Sequence, residues 1–306
     1  MTHMKVAVIG IGSNSVRMLM AKLDGTHAWK LRRDRIGTRL FAGLDEKKNL
    51  SGDAMAVSAG AVADFADIAR FEGADEVRLF ATSATRDAAN QADFARLLKD
   101  RSGLDVEICS GEEEAMLSFF GATGGGDCGV IDIGGGSTEY IVGRDQDVRC
   151  AFSCQMGAVR LSAMQPIRSH ADIPVVKDIA RNILREKLRF HPTLSLPEKW
   201  VGTGGTFTTL AAMIKKIHWT NRTYMHGTLL TREAIEQHAR LLSNMTVEQR
   251  KEIPGLQPNR ADIIVHGICI LLASMEELGM DEITVSEYGN MDGYIKSRFH
   301  VEGEIR

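Results

Sequence analysis

Two short stretches of this chain combine glycine with small hydroxyl or amide side chains where a strand turns back on itself: Gly12-Ser13-Asn14-Ser15 and Gly134-Gly135-Gly136-Ser137. A tight turn of this composition exposes backbone N–H groups and hydroxyls, and successive amides in such a nest carry the partial positive charge that suits phosphate oxygens. One such turn is ordinarily only a turn, whereas two facing turns can grip consecutive phosphates. A third feature is the run Glu112-Glu113-Glu114 after Ser110-Gly111. Taken alone, it reads as the acidic first turn of a helix, favoured by the helix dipole. The patterns GxxxxGK[ST], GxSxG and HExxH are absent, which argues against a P-loop NTPase, an α/β-hydrolase and a zincin. The nine histidines show no metal-ligand spacing.

The elements that must hold these residues follow from hydrophobic period. Residues 6–9 and 18–21 read as strands flanking the first turn, and 130–133 and 140–142 as strands flanking the second. Helical spacing covers 54–71, the region around 94–101, 175–190 and 264–275, while 77–81, 106–109, 148–152 and 283–285 read as further strands. A short strand ending at Trp200-Val201 runs into Gly202-Thr203-Gly204-Gly205-Thr206 and then a helix, and Thr246 with Gln249 forms a capping box. Gly124-Gly125-Gly126 is the best linker. The segment Ile9-Gly10-Ile11-Gly12-Ser13-Asn14-Ser15 aligns with Ile131-Asp132-Ile133-Gly134-Gly135-Gly136-Ser137, so the expectation is a duplicated domain, with boundaries 1–124 and 125–306.

Composition limits the partners. The chain has 306 residues, 37 Lys and Arg against 40 Asp and Glu, and a net charge of −3, which excludes a general basic coat for nucleic acid. With 44% hydrophobic and 25% charged residues it reads as soluble and globular. The five cysteines are odd in number and lack CxxC spacing, as expected of free thiols in a reducing cytoplasm. The longest apolar stretch, 263–273, contains His266 and is too short to span a bilayer, so no membrane partner is expected.

Read together, the turns and five further segments resemble the exopolyphosphatase/guanosine pentaphosphate phosphohydrolase family. Those segments are Thr82-Ser83-Ala84-Thr85-Arg86-Asp87, Ser110-Gly111-Glu112-Glu113-Glu114-Ala115, Met156-Gly157-Ala158-Val159-Arg160-Leu161, Gly202-Thr203-Gly204-Gly205-Thr206 and Arg260-Ala261-Asp262-Ile263-Ile264. The second turn belongs to the longer match Asp132-Ile133-Gly134-Gly135-Gly136-Ser137-Thr138-Glu139, and the motifs keep family order from residue 5 to about 295. The resemblance implies α/β architecture, with two ribonuclease-H-like domains of the actin–hexokinase-like fold around an interdomain cleft, in a short form without the C-terminal helical domain. It implies hydrolysis of phosphoanhydrides, with inorganic polyphosphate as the first substrate and guanosine pentaphosphate as the alternative. A weakly active polyphosphate- or nucleotide-binding regulator is the reading from another class. A homodimer is expected from the family and from base rates.

The same resemblance assigns roles. Glu114 matches the catalytic glutamate that positions or deprotonates the attacking water. Gly12, Ser13, Asn14, Gly134, Gly135, Gly136, Ser137, Thr138, Gly204, Gly205 and Arg86 would hold phosphates, with Arg17, Arg39 and Arg160 as weaker candidates. Asp132 and Glu139 match the positions that hold Mg²⁺, directly or through water, as hard oxygen ligands do. Two positions depart from the family pattern. Gly10 stands where an Asp is usual, which implies weaker or displaced metal binding. Met291, in Gly289-Asn290-Met291-Asp292-Gly293, stands where an Arg is usual, which removes an ion pair or substrate contact.

Overall fold

The computed structural model describes residues 3–145, 147–303 and 305. The chain forms two compact units, Gly125–Gly289 and a unit joining Met1–Gly124 to Asn290–Arg306. Each unit is built on one mixed sheet. In the first, β1 (Met4–Ile11), β2 (Ser15–Asp24), β3 (His27–Gly37), β4 (Glu76–Ala81) and β5 (Val106–Ile108) lie in the order β3-β2-β1-β4-β5. The first three run antiparallel, and β4 and β5 add parallel to β1. In the second, β6 (Asp127–Ile133), β7 (Thr138–Arg144), β8 (Asp147–Cys154), β9 (Trp200–Thr203), β10 (Leu229–Thr231) and β11 (Glu282–Val285) lie in the order β10-β11-β9-β6-β7-β8. Without the antiparallel edge strand β10, this is the first sheet's order and strand sense again. The internal sequence match thus reflects a repeated topology.

The central strand β1 shows how sequence becomes layer. Its apolar run has no polar alternation because both faces are covered. Side chains alternate across a strand, so Ala7, Ile9 and Ile11 enter one core with Val62, Phe65, Phe94 and Leu98. Those four come from α1 (Gly52–Phe71) and α3 (Gln91–Ser102). Val6 and Val8 enter the opposite core with Phe80, Leu117, Tyr294 and Ile295. This second layer is α4 (Gly111–Ala122) and α11 (Asn290–Phe299), while the four-residue α2 (Ser83–Arg86) follows β4. In the second unit, α5 (Ala158–Met164), α6 (Ile173–Leu188), α7 (Gly205–Lys215), α8 (Arg232–Ser243), α9 (Val247–Lys251) and α10 (Ile264–Leu278) surround a single core.

The C-terminal boundary needs correction. The expected second domain extended to residue 306, but its contacts end at Gly289. The ring of Tyr294 on α11 stacks on Phe80 with centroids 4.6 Å apart, its hydroxyl donates to Glu107 at 2.7 Å, and Lys296 donates to the Phe120 carbonyl at 2.8 Å. These are first-unit partners, and the helix covers apolar surface that β1 and β4 would otherwise expose. All five cysteines are buried free thiols. Among the described residues, no helix is long and apolar enough to cross a membrane.

Candidate active site

In the first unit, the turn between β1 and β2 is closed by the Gly12 amide donating to the Ser15 carbonyl at 3.0 Å. The turn carbonyls point inward: Ser13 accepts from Phe41 at 2.9 Å, and Asn14 from Thr38 and Arg39 at 3.2 Å each. The Ser13 hydroxyl lies 2.8 Å from that of Ser83, at the start of α2, which ties the turn to the end of β4. Among the described residues, none accepts from the amides of Ser13 or Asn14, the arrangement of an anion nest.

The three glutamates at the start of α4 have three different positions. Ser110 caps the helix, accepting from the Glu113 amide, while the Glu113 carboxylate accepts from the Ser110 amide. Glu112 is exposed, whereas Glu114 is only 6% exposed. The Glu114 carboxylate accepts from Arg86 Nη1 at 3.0 Å, and the same nitrogen donates to the Cys109 carbonyl at 3.0 Å. The helix-start reading therefore fits Glu112 and Glu113 and fails for Glu114. Burial, with the charges of Glu107 and Glu114 adding to it, pushes the neighbouring Cys109 thiol up to about 12, so it stays protonated at neutral pH.

In the second unit, the turn between β6 and β7 is closed by the same bond, Gly134 amide to Ser137 carbonyl at 3.0 Å. The first residues of α5 fasten it, with the amides of Ala158 to Gly134 and of Val159 and Arg160 to Gly135 at 2.9–3.0 Å. Arg160 Nε donates to the Gly136 carbonyl at 2.6 Å. The amides of Gly135 and Gly136 have no acceptor among the described residues. Asp132 and Glu139 stand directly opposite each other across β6 and β7, on one face of the sheet, and are 8% and 1% exposed. Ser153, opposite Glu139 on β8, donates its hydroxyl to that carboxylate at 2.8 Å. Gly204, at φ +95°, closes over this pair, since a Cβ there would fall 2.7 Å from Asp132 Oδ1. Gly205 opens α7 beneath Arg260, whose Cζ lies 1.8 Å from where a Gly205 Cβ would stand.

Equivalent positions in the two turns carry opposite chemistry. Asp132 and Glu139 are a register pair, and their counterparts in the first unit are the register pair Gly10 and Arg17. The second turn therefore sits above two carboxylates, and the first above a guanidinium and no carboxylate. Two buried carboxylates with water completing the shell suit Mg²⁺, which binds readily through one or two carboxylates. The described residues hold no cluster of three or more His, Cys, Asp or Glu that would form a full protein cage.

Within each unit the structure gathers most of the expected residues. Gly12, Ser13, Asn14, Arg86 and Glu114 belong to the first unit, and Asp132, the 134–137 turn, Glu139, Gly204 and Gly205 to the second. Two of the expected residues have polar groups engaged within the protein. Thr138 is fully buried and gives its hydroxyl proton to the Met156 carbonyl. Arg86, expected on phosphate, grips Glu114, and its Nη2 is sealed from solvent. Ser83, Ser153 and Arg260 received no role from sequence. Ser83 and Arg260 lie inside family-like segments, which is the one signal that marks them, and Ser153 has none.

An α/β protein with two sheets of repeated topology, each carrying a glycine turn at the same place, belongs to the class of actin-like-fold proteins. The chain is a member of the Ppx/GppA phosphatase family, which it matches over residues 19–302. It is 33% identical over 313 aligned positions to exopolyphosphatase 2 of Mycobacterium tuberculosis, covering 94% of this chain and 97% of that one. An exopolyphosphatase from Cytophaga hutchinsonii superposes with a TM-score of 0.87 at 25% identity, covering 97% of this chain and 99% of the other. The Aquifex aeolicus PPX-GPPA enzyme gives a TM-score of 0.81 at 27% identity, with 97% and 100% covered.

Proposed function

We propose that this protein is a Mg²⁺-dependent phosphoanhydride hydrolase that releases terminal phosphate from inorganic polyphosphate. The observation that carries the reading is the Arg86–Glu114 pair: one carboxylate of an acidic helix start, turned inward and held by a guanidinium at 3.0 Å. Phosphoryl transfer asks little covalent chemistry of the protein and much positioning and charge neutralisation. Glu114 would accept a proton from water, whose oxygen attacks the terminal phosphorus in line as the bond to the bridging oxygen breaks. Arg86 would hold the Glu114 carboxylate in orientation. The turn amides at Ser13, Asn14, Gly135 and Gly136, with the Ser13 and Ser137 hydroxyls, would bind phosphate oxygens. Asp132 and Glu139 would hold Mg²⁺, which supplies charge neutralisation when bound.

Guanosine pentaphosphate is the second substrate to test, because a phosphate-chain cradle takes either molecule. The reading extends to a homodimer in the cytoplasm without nucleic-acid or membrane partners, and sedimentation of the full chain tests the dimer. The main experiment measures phosphate release from long polyphosphate, tripolyphosphate and guanosine pentaphosphate, with and without Mg²⁺, in wild type and Glu114→Gln. Loss of a general base lowers the rate by about 10²–10⁴-fold. Undiminished release by Glu114→Gln would sink the mechanism, and binding without release from any substrate would favour the regulator.

A further inference from the structure

The second unit contains a cavity of about 540 Å³ that the phosphate turns do not line. It opens between the end of α5, the loop that follows it, the α8–α9 connection and the start of α10. Its wall includes Arg168, Arg250, Asp262 and His266 together with apolar surface from Ile167 and Met245. This volume is typical of a small-molecule site.

The charge arrangement shows what would complement it. Arg250 is 5% exposed, and its bonds go to backbone carbonyls: Nε to Leu242 at 2.7 Å and Nη1 to Ala261 at 3.1 Å. It makes no ion pair among the described residues, although Asp262 on the same wall favours its charge. A guanidinium cannot shed its proton to relieve such burial, so its charge persists at the cavity wall. Arg168 adds a second, exposed cation to the lining. His266, 4% exposed, donates its Nε2 proton to the Gln165 carbonyl at 2.9 Å, since a carbonyl only accepts. Asp262 contributes acceptor oxygens beside this cationic pair.

We propose that this cavity binds a small phosphorylated hydroxy compound of sugar-phosphate size. The anionic group lies against Arg168 and Arg250, a hydroxyl donates to Asp262, and the carbon skeleton rests on Ile167 and Met245. A purely apolar ligand would leave Arg250 uncompensated, and a cation would be repelled by two guanidinium groups. The proposal does not depend on the hydrolase reading.

The test is calorimetric titration of the full chain with ribose 5-phosphate as probe and ribose as the neutral control. Ribose 5-phosphate should bind saturably and ribose should not. Arg168→Ala, a change at an exposed side chain, should weaken binding by about 10-fold or more, as loss of a charge-assisted hydrogen bond does. Val247→Trp, which fills the cavity from the exposed start of α9, should abolish it. Both variants should release phosphate from polyphosphate as wild type does without the probe. The proposal is overturned if wild type does not bind ribose 5-phosphate, if ribose binds equally well, or if binding is unchanged in both variants.

Discussion

Gly10 and Met291 touch: a Cβ built on Gly10 would lie 2.5 Å from Met291 Sδ and 2.9 Å from Phe80. The two departures from the family pattern are thus one departure, made at a single contact inside the first unit. Where relatives are expected to carry Asp and Arg, a missing side chain and a thioether fill the same space. Met291 belongs to the core layer with Phe80 and Tyr294. The contact adds a packing reason for Gly10 beside the sequence-based expectation of weaker metal binding.

Gly10→Asp should destabilise the protein by about 1–3 kcal/mol, because the new carboxylate must displace packed thioether and ring atoms. Arg17, opposite Gly10 on β2, offers a partial counter-charge and keeps the cost within that range. Adding Met291→Arg supplies a second cation beside the new carboxylate, so the double variant should recover at least about 1 kcal/mol relative to additivity. Urea denaturation of wild type, both single variants and the double variant measures the coupling. Additive effects would show that the two positions do not act as a unit. If the first turn faces the metal, Gly10→Asp should lower the Mg²⁺ concentration for half-maximal phosphate release, and an unchanged Mg²⁺ titration would count against that placement.

Arg86 makes a different kind of pair with Glu114, and kinetics separates its two possible roles. As the group that orients the carboxylate, Arg86→Ala should lower kcat by about 10–10³-fold with little change in KM. As a phosphate ligand it would raise KM. Arg86→Lys retains charge and loses the fork that reaches both Glu114 and the Cys109 carbonyl, so it should recover only a small part of kcat. Steady-state rates on tripolyphosphate distinguish the outcomes.

Asp132 and Glu139 face one another across β6 and β7, with the Ser153 hydroxyl donating to Glu139. Asp132→Asn should raise the Mg²⁺ concentration for half-maximal phosphate release by about 10–100-fold, the usual effect of weakening a metal site. Ser153→Ala should shift it less and in the same direction. An unchanged Mg²⁺ titration in Asp132→Asn would remove this residue from the metal site.

How much of this was legible in sequence depended on whether the signal was local. Both glycine turns, β1, β6, the helix start after Ser110 and the capping box at Thr246 follow from spacing within a few residues. The strand β3 did not, because Lys30, Arg32, Arg33, Asp34 and Arg35 make an edge strand read as a solvated segment. Spacing also could not choose among Glu112, Glu113 and Glu114, since burial of one of them depends on Arg86, 28 residues upstream. The same limit hid the placement of α11: Met291, Tyr294 and Ile295 specify a helix face, and only the tertiary fold says that β1 and β4 receive it.

His266 links the cavity wall to pH. Burial is the largest effect and lowers its pKa below 6.5; the bond at Gln165 opposes this, and the charge of Arg250 reinforces it. The imidazole is thus neutral in the folded protein at pH values where the unfolded chain already binds a proton. A group with a depressed folded pKa contributes stability that is fully present above the unfolded pKa and is lost as pH falls toward the folded value. Wild type should therefore lose thermal stability from just above pH 6.5 downward. His266→Gln, which keeps a donor for the Gln165 carbonyl and does not titrate, should start from a lower Tm at pH 7.5 and show a flatter decline to pH 5.5. Parallel Tm curves for the two proteins across that interval would show that another group is responsible for the acid sensitivity.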